Sequence, residues 1–183
     1  AHTLIATATA SGSSSLSFTS GIDSTYDMYE FHLTNLHPAS DNKWCGVQFN
    51  AAGQSGFNET ITSSAFESYH REDDGNAALT YRATLDQAQG TGLQYLTRET
   101  SHDADSGVSG VLTLYAPSNT TFVKHFICTS SDMQHQASYD AYARSSHIAG
   151  YVNTTAAIDE IEFKFNSGNI DTGVVKMYGV AKS

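Results

Sequence analysis

The chain has 183 residues and a formal net charge of −10, with 9 Lys+Arg set against 19 Asp+Glu. That length suits one domain with a proper core, and so few, unclustered cations exclude a phosphate-binding surface and with it a nucleic-acid partner. No apolar run is long enough to cross a bilayer, and no basic segment followed by an apolar run marks a secretory signal, so neither membrane insertion nor export is expected.

Charged residues make up only 15% of the chain, and its polarity comes instead from Ser, Thr, Asn, Gln and Gly. Aromatic content of 11%, with 10 Tyr and 9 Phe, favours pleated surfaces over helices. In chain order, Thr3–Ala10 alternates and reads as a first strand, Ser11–Ser14 breaks it, and Leu16–Thr19 continues extended. Tyr26–Leu36 is a long strand ended by the turn chemistry of Pro38–Asn42. Trp44–Ala51 follows, with Cys45, Val47 and Phe49 on one face. Ile61–Arg71 is a further strand, closed by the turn Glu72–Asn76.

Ala77–Gln89 is open to a helix, a loop or an irregular strand, because Ala, Leu and Gln tolerate a helix while Thr80, Tyr81 and Thr84 do not favour one. Gly92–Thr97 is weakly extended and Ser101–Gly107 is an acidic loop. Val108–Ala116, Phe122–Thr129, Tyr139–Ala143 and His147–Asn153 read as successive strands. The end is the clearest stretch: Ile161, Phe163 and Phe165 alternate with Glu160, Glu162 and Lys164. A Ser167–Gly173 turn then leads into Val174–Val180, which together predict a closing β-hairpin. About ten short strands with no long helix predict a single all-β domain over residues 1–183, an antiparallel β-sandwich of jelly-roll type.

The two cysteines, Cys45 and Cys128, fall on separate strands. A disulfide is open to them, but two small buried hydrophobes in a reducing cytoplasm are the plainer expectation. The start, Ala1–Ile5, reads as a nascent chain that has lost its initiator Met, and with no export signal expected, the sequons at Asn58, Asn119 and Asn153 are expected to be chance matches in a Thr-rich chain. The 8 histidines include no His-Glu-x-x-His pair and no partner Cys cluster, so no zinc site is expected. Asp73–Asn76 and His102–Asp105 offer oxygen ligands without the spacing of a calcium loop, and solvated acidic turns are the simpler account. No Gly-x-Ser-x-Gly elbow is present, so no catalytic residue, cofactor or metal is assigned. Exposed aromatic rings are the remaining candidates. Trp44, Tyr69, Tyr95, Tyr139 and Tyr142 are the candidates for contact with a glycan or a partner, although aromatic rings in a β-sandwich more often serve as core or subunit interface.

Leu16–Tyr26 and Ser167–Val180, together with Phe31–Leu36, Val47–Asn50, Gly56–Thr60 and Ala149–Thr155, resemble small virion proteins and modules of tailed bacteriophages, those of aquatic and marine phages in particular. The resemblance spans most of the chain. It implies a jelly-roll-like structural protein, assembled in the host cytoplasm and displayed on the virion. The expected role is a capsid decoration (cement) protein, a homo-oligomer with a trimer favoured, contacting the major capsid protein or other virion proteins. The alternative is a tail or fibre module that recognises a receptor or a host surface glycan. The resemblance carries over no catalytic residues.

Overall fold

The computed structural model describes residues 1–136 and 139–180, the side chains of residues 136 and 139 excepted. Its strands are β1 (His2–Ser13), β2 (Leu16–Phe18), β3 (Met28–Pro38), β4 (Cys45–Ala51), β5 (Ile61–Arg71), β6 (Ala77–Tyr81), β7 (Ala88–Gly90), β8 (Gln94–Tyr95), β9 (Val108–Tyr115), β10 (Lys124–Gln136), β11 (Tyr139–Val152), β12 (Ile158–Phe165) and β13 (Ile170–Val180). One nine-stranded sheet runs β1-β13-β3-β9-β10-β11-β5-β6, with β7 also on β5, and a four-stranded sheet runs β2-β12-β4-β8. Every pairing is antiparallel.

The sheets pack face to face through aromatic rings. Phe31 of β3 meets Phe18 of β2 and Phe163 of β12 at centroid separations of 5.6 and 5.7 Å, and Phe49 of β4 meets Phe126 of β10 at 5.5 Å. Leu36, Val47, Ile61, Leu112, Leu114, Ile148, Ile161, Val175 and Met177 fill the space around them. The all-β sandwich anticipated from the alternation is therefore the fold, and its strand order is compatible with a jelly roll.

Two local expectations change, and one left open is decided. The closing segment is not a hairpin: β12 hydrogen-bonds β2 and β4, whereas β13 hydrogen-bonds β1 and β3. The short connection between them arches from one sheet to the other, so the buried side chains of β12 and β13 face each other across the core. The alternation of a strand is the same whether its successor pairs beside it or packs opposite it, which is why the pattern predicted a hairpin. Of the alternatives open at Ala77–Gln89, the irregular strand is the one found: β6 and the start of β7 lie there, with no helix. And the two strands expected at Tyr139–Ala143 and His147–Asn153 are one, β11, whose middle carries Arg144 and Ser146 inward and buried.

Candidate functional site

The nine-stranded sheet's inner face changes character along its strands. Near the middle, Ala65 of β5, Ile148 of β11, Cys128 of β10 and Leu112 of β9 stand in register and are buried in the sandwich core. Two residues further along, the row is Glu67, Ser146 and Ser130. Two further still, it is Tyr69, Arg144 and Asp132. These inward polar rows lie under the Leu96–Ser101 segment rather than under another strand: Leu96 N–H donates to the Cys45 carbonyl at 2.8 Å, and Ser101 N–H donates to the Met133 carbonyl at 3.1 Å.

A buried polar side chain needs partners, and the result is one connected network. Glu67, fully buried, accepts from Arg98 through Nε at 3.1 Å and Nη2 at 3.2 Å, and from Arg82 Nε at 3.2 Å. Arg98 Nη1 also meets Glu99 Oε2 at 2.5 Å, and Gln134 Nε2 donates to that same oxygen at 2.8 Å. Arg144, 1% exposed in its side chain, donates to Gln134 Oε1 at 3.0 Å, to Asp132 Oδ2 at 2.5 Å and to the Arg98 carbonyl. Thr100 Oγ1 completes the shell of Asp132 Oδ2 at 3.1 Å.

The electrostatics follow from burial. Desolvation pushes the Asp132 carboxyl up to about 6 against the opposing pull of Arg144 and Thr100. At Arg98 burial is the largest influence and acts to lower the guanidinium, but the bond and charge of Glu67 together with the charges of Glu99 and Asp132 outweigh it and the net shift is upward. Glu99 sits at φ 50°, the left-handed region that a non-glycine residue enters at a cost of about 1 kcal/mol. Its carboxylate bonds to Arg98 and Gln134 hold it there.

Above this network opens a cleft of about 170 Å³, lined by Tyr69, Asn76, Arg98, Glu99, Gln134, Tyr142 and Arg144. Two Tyr-x-Arg tripeptides build its wall. Tyr69-His-Arg71 on β5 and Tyr142-Ala-Arg144 on β11 run antiparallel, so that Arg144 stands opposite Tyr69 and Tyr142 opposite Arg71. The i, i+2 spacing puts each Tyr and its Arg on one face of the pleat. The two tyrosine rings meet edge to face at 5.6 Å, Asn76 Nδ2 reaches the Tyr142 hydroxyl at 3.5 Å, and Arg82 lies 5.5 Å from the Tyr69 ring centre. Arg71 is bidentate to Asp73, with Nε–Oδ1 at 2.5 Å and Nη2–Oδ2 at 2.7 Å, and also engages Tyr142. All four arginines of the chain thus gather at this end of the sheet, and each has a carboxylate beside it.

Of the five aromatic residues picked out from sequence, Tyr69 and Tyr142 come together in the cleft. Trp44 and Tyr95 pair elsewhere, at 5.0 Å edge to face, and pack against the core. Tyr139 begins β11, and its side chain lies outside the described residues. Arg98, Glu99, Gln134, Arg144 and Asn76 were not anticipated as lining residues, although the repeated Tyr-x-Arg was the available signal. Among the described residues no group of three His, Cys, Asp or Glu side chains is arranged to hold a metal ion. The acidic turns are engaged internally: Asp73 by Arg71 and the Gly75 N–H, Asp103 by His135 at 2.5 Å. The latter contact holds the Asp103 carboxyl below its ordinary range.

A second feature is the outer face of the same sheet. One register row crosses eight strands as Tyr81, Phe66, His147, Thr129, Val111, His32, Lys176 and Thr7. Leu4, Phe66, Leu79, Tyr81, Tyr115 and Ile127 all sit exposed on this face, with Phe66 stacked on His147 at 4.9 Å. A neighbouring row is Leu79, Ser68, Ser145, Ser131 and Ser109. Lys176 is the amine on the first row, and Glu30, opposite Tyr178 and Thr113, lies on the same face one row away. Glu30 accepts from His2 and His32 at 3.1 and 2.9 Å.

The chain matches no protein-family model, no curated protein and no solved structure.

Proposed function

We propose that this chain is a structural protein of a tailed-phage virion, a capsid decoration subunit that works as a homo-oligomer, favoured as a trimer, against neighbouring capsid proteins. The observation that carries this is the outer sheet face. It spans eight strands and carries six exposed large apolar side chains, of which Phe66, Leu79 and Tyr81 are neighbours on β5 and β6, and exposed apolar surface of that kind marks an interaction site. A decoration protein opposes the outward pressure of packaged DNA by burying surface across neighbouring subunits, and a broad flat face suits that task better than a deep pocket does. The likeness of Leu16–Tyr26 and Ser167–Val180 to phage virion proteins supports the same reading. Image reconstruction of the intact particle tests it: hundreds of copies on the head with the outer sheet face covered is the expected result. A handful of copies at a tail tip, or an uncovered face, overturns it.

A second reading, recognition of a receptor glycan by a tail or fibre module, is favoured by a different observation. The Tyr69–Tyr142 pair with Asn76, Gln134 and Arg98 beside it joins flat apolar rings to fixed hydrogen-bonding groups, the combination that small polar ligands require. Binding of the purified chain to an array of host-surface glycans tests this reading.

A further inference from the structure

We infer that the cleft between β5, β11 and the Leu96–Ser101 segment is a binding site for one uncharged sugar residue, inserted between the Tyr69/Tyr142 wall and the Arg98–Glu99 rim. This rests on the glycan-recognition reading and specifies its ligand.

Size limits the occupant first. Drug-sized ligands occupy pockets of roughly 300–1,000 Å³, and about 170 Å³ admits a single small ring. Charge limits it next. An anionic group entering the cleft meets the Glu99 carboxylate at the rim, which Arg98 and Gln134 hold in place, and approaches a molecule of net charge −10. A cationic group meets Arg98 at the rim and Arg144 at the floor. The network beneath sets four guanidiniums against four carboxylates, with Glu67 shared by Arg82 and Arg98, so neither sign is in excess there.

Chemistry decides the rest. A sugar ring presents adjacent hydroxyls, each both donor and acceptor, and an apolar face of C–H groups. Arg98 and Glu99 stand side by side as donor and acceptor. Asn76 and Gln134 offer both, and Tyr69 and Tyr142 offer ring surface. The floor is also short of one acceptor: Arg144 lines the cleft, yet its buried Nε has no hydrogen-bond partner in the protein. That atom is closed off from water in the unliganded protein, so a ligand hydroxyl supplies the missing acceptor only after a small shift of the floor. The side chains need little rearrangement to bind, because Arg98, Glu99, Gln134 and Arg144 already fix one another. That saves the ordering cost a flexible site would carry.

The test is titration of the ¹⁵N-labelled full chain with methyl glycosides of neutral hexoses and N-acetylhexosamines, with sodium glucuronate and glucosamine hydrochloride as the charged counterparts, followed by NMR of the backbone and the arginine Nε–H groups. The expected result is saturable, millimolar binding of at least one neutral glycoside that shifts Arg98 and Arg144 and is weaker for both charged sugars. Tyr142→Ala weakens it about tenfold, the worth of a lost ring contact. Asn76→Ala, on an exposed turn outside the buried network, weakens it several-fold with the spectrum otherwise unchanged. Leu79→Ser, on the outer face, leaves it intact. Tighter binding of glucuronate or glucosamine overturns the assignment of an uncharged ligand while sparing glycan recognition. Shifts confined to residues outside the cleft, or indifferent to Asn76→Ala, overturn the site. Absence of binding by every sugar overturns both.

Discussion

Arg144 stands directly across from Asp132 on the neighbouring strand, with Nη2 at 2.5 Å from Oδ2 and both side chains 1% exposed. The two halves of this pair are not equivalent. Arg144 also supplies hydrogens to Gln134 and to the Arg98 carbonyl, so Arg144→Met strips partners from several buried acceptors at once. We expect a loss of about 3–5 kcal/mol, the usual result of removing one side of a buried charge pair. Asp132→Asn keeps an oxygen for Arg144 and Thr100 and is expected to cost about 1 kcal/mol or less at neutral pH. Urea denaturation of the two variants measures the asymmetry, and equal losses would contradict it.

The same carboxyl gives a pH dependence whose sign is unusual. Burial raises Asp132 from 3.8 to about 6, so between those values the folded protein holds a proton that the unfolded chain has released. Ionising a buried group opposes folding, and its stability contribution therefore falls as pH rises from about 4 to about 6. Asp23, Asp73 and Asp103 are shifted down by hydrogen bonds from Thr25, Arg71 and His135, and their contributions fall in the opposite direction, as pH drops through the acid range. Comparison with Asp132→Asn isolates the first effect. The stability of the wild type relative to Asp132→Asn should decline on going from pH 4 to pH 6 and then level off; a rise across that window would refute the assignment.

Much of the architecture was legible because alternation has a physical cause. Wherever one face of a strand meets the core and the other meets water, as in β3 and β12, the sequence reports it. Legibility failed where both faces are polar. Around Arg144-Ser-Ser146 the inward residues are buried in a hydrogen-bonded network rather than in an apolar core, so the pattern read as a break and β11 was split in two. The cleft was half visible for the same reason. Tyr69 and Tyr142 stood out as aromatic, but Arg98, Glu99 and Gln134 look like solvent-facing residues until β5, β10 and β11 bring them together. Nor could β12 and β13 be assigned to different sheets, because alternation carries no information about which neighbour a strand pairs with.

Two glycines should respond oppositely to alanine. A Cβ on Gly150, in β11, would lie 2.6 Å from the Thr62 carbonyl oxygen, 2.7 Å from Ser63 Cβ and 2.9 Å from Phe126 Cζ. Backbone and a core ring cannot both give way there, so Gly150→Ala should destabilise by roughly 1–3 kcal/mol as an overpacked site. A Cβ on Gly92 meets nothing within 4 Å, and its φ is not in the left-handed region. Gly92→Ala should be neutral or stabilise by about 0.4–1 kcal/mol by restricting the unfolded chain. Thermal unfolding of the pair checks both signs.

Cys45 and Cys128 are both free and fully buried, and burial pushes the Cys128 thiol up to about 12 and raises Cys45 as well. The thiolate is the reactive form, so a thiol reagent should label neither residue in the native protein at pH 8 except through unfolding. Both should react fully in denaturant. Stoichiometric labelling of the native chain on the timescale of a free thiol would contradict the burial.

The outer sheet face makes a claim that can be separated from stability. Phe66 and Leu79 lie 47% and 72% exposed and contribute little to the core, so replacing both by Ser removes apolar surface from water rather than from the interior. The double variant should unfold within about 0.5 kcal/mol of the wild type, as surface changes usually do. If this face joins copies of the chain, the same variant should shift sedimentation from oligomer toward monomer and lower occupancy on capsids in a reconstitution assay. Phe31→Ala provides the contrast. That ring bridges the two sheets through Phe18 and Phe163, and its loss should cost about 3–5 kcal/mol. A Phe66/Leu79 variant that assembles and occupies capsids like the wild type would move the contact surface away from this face.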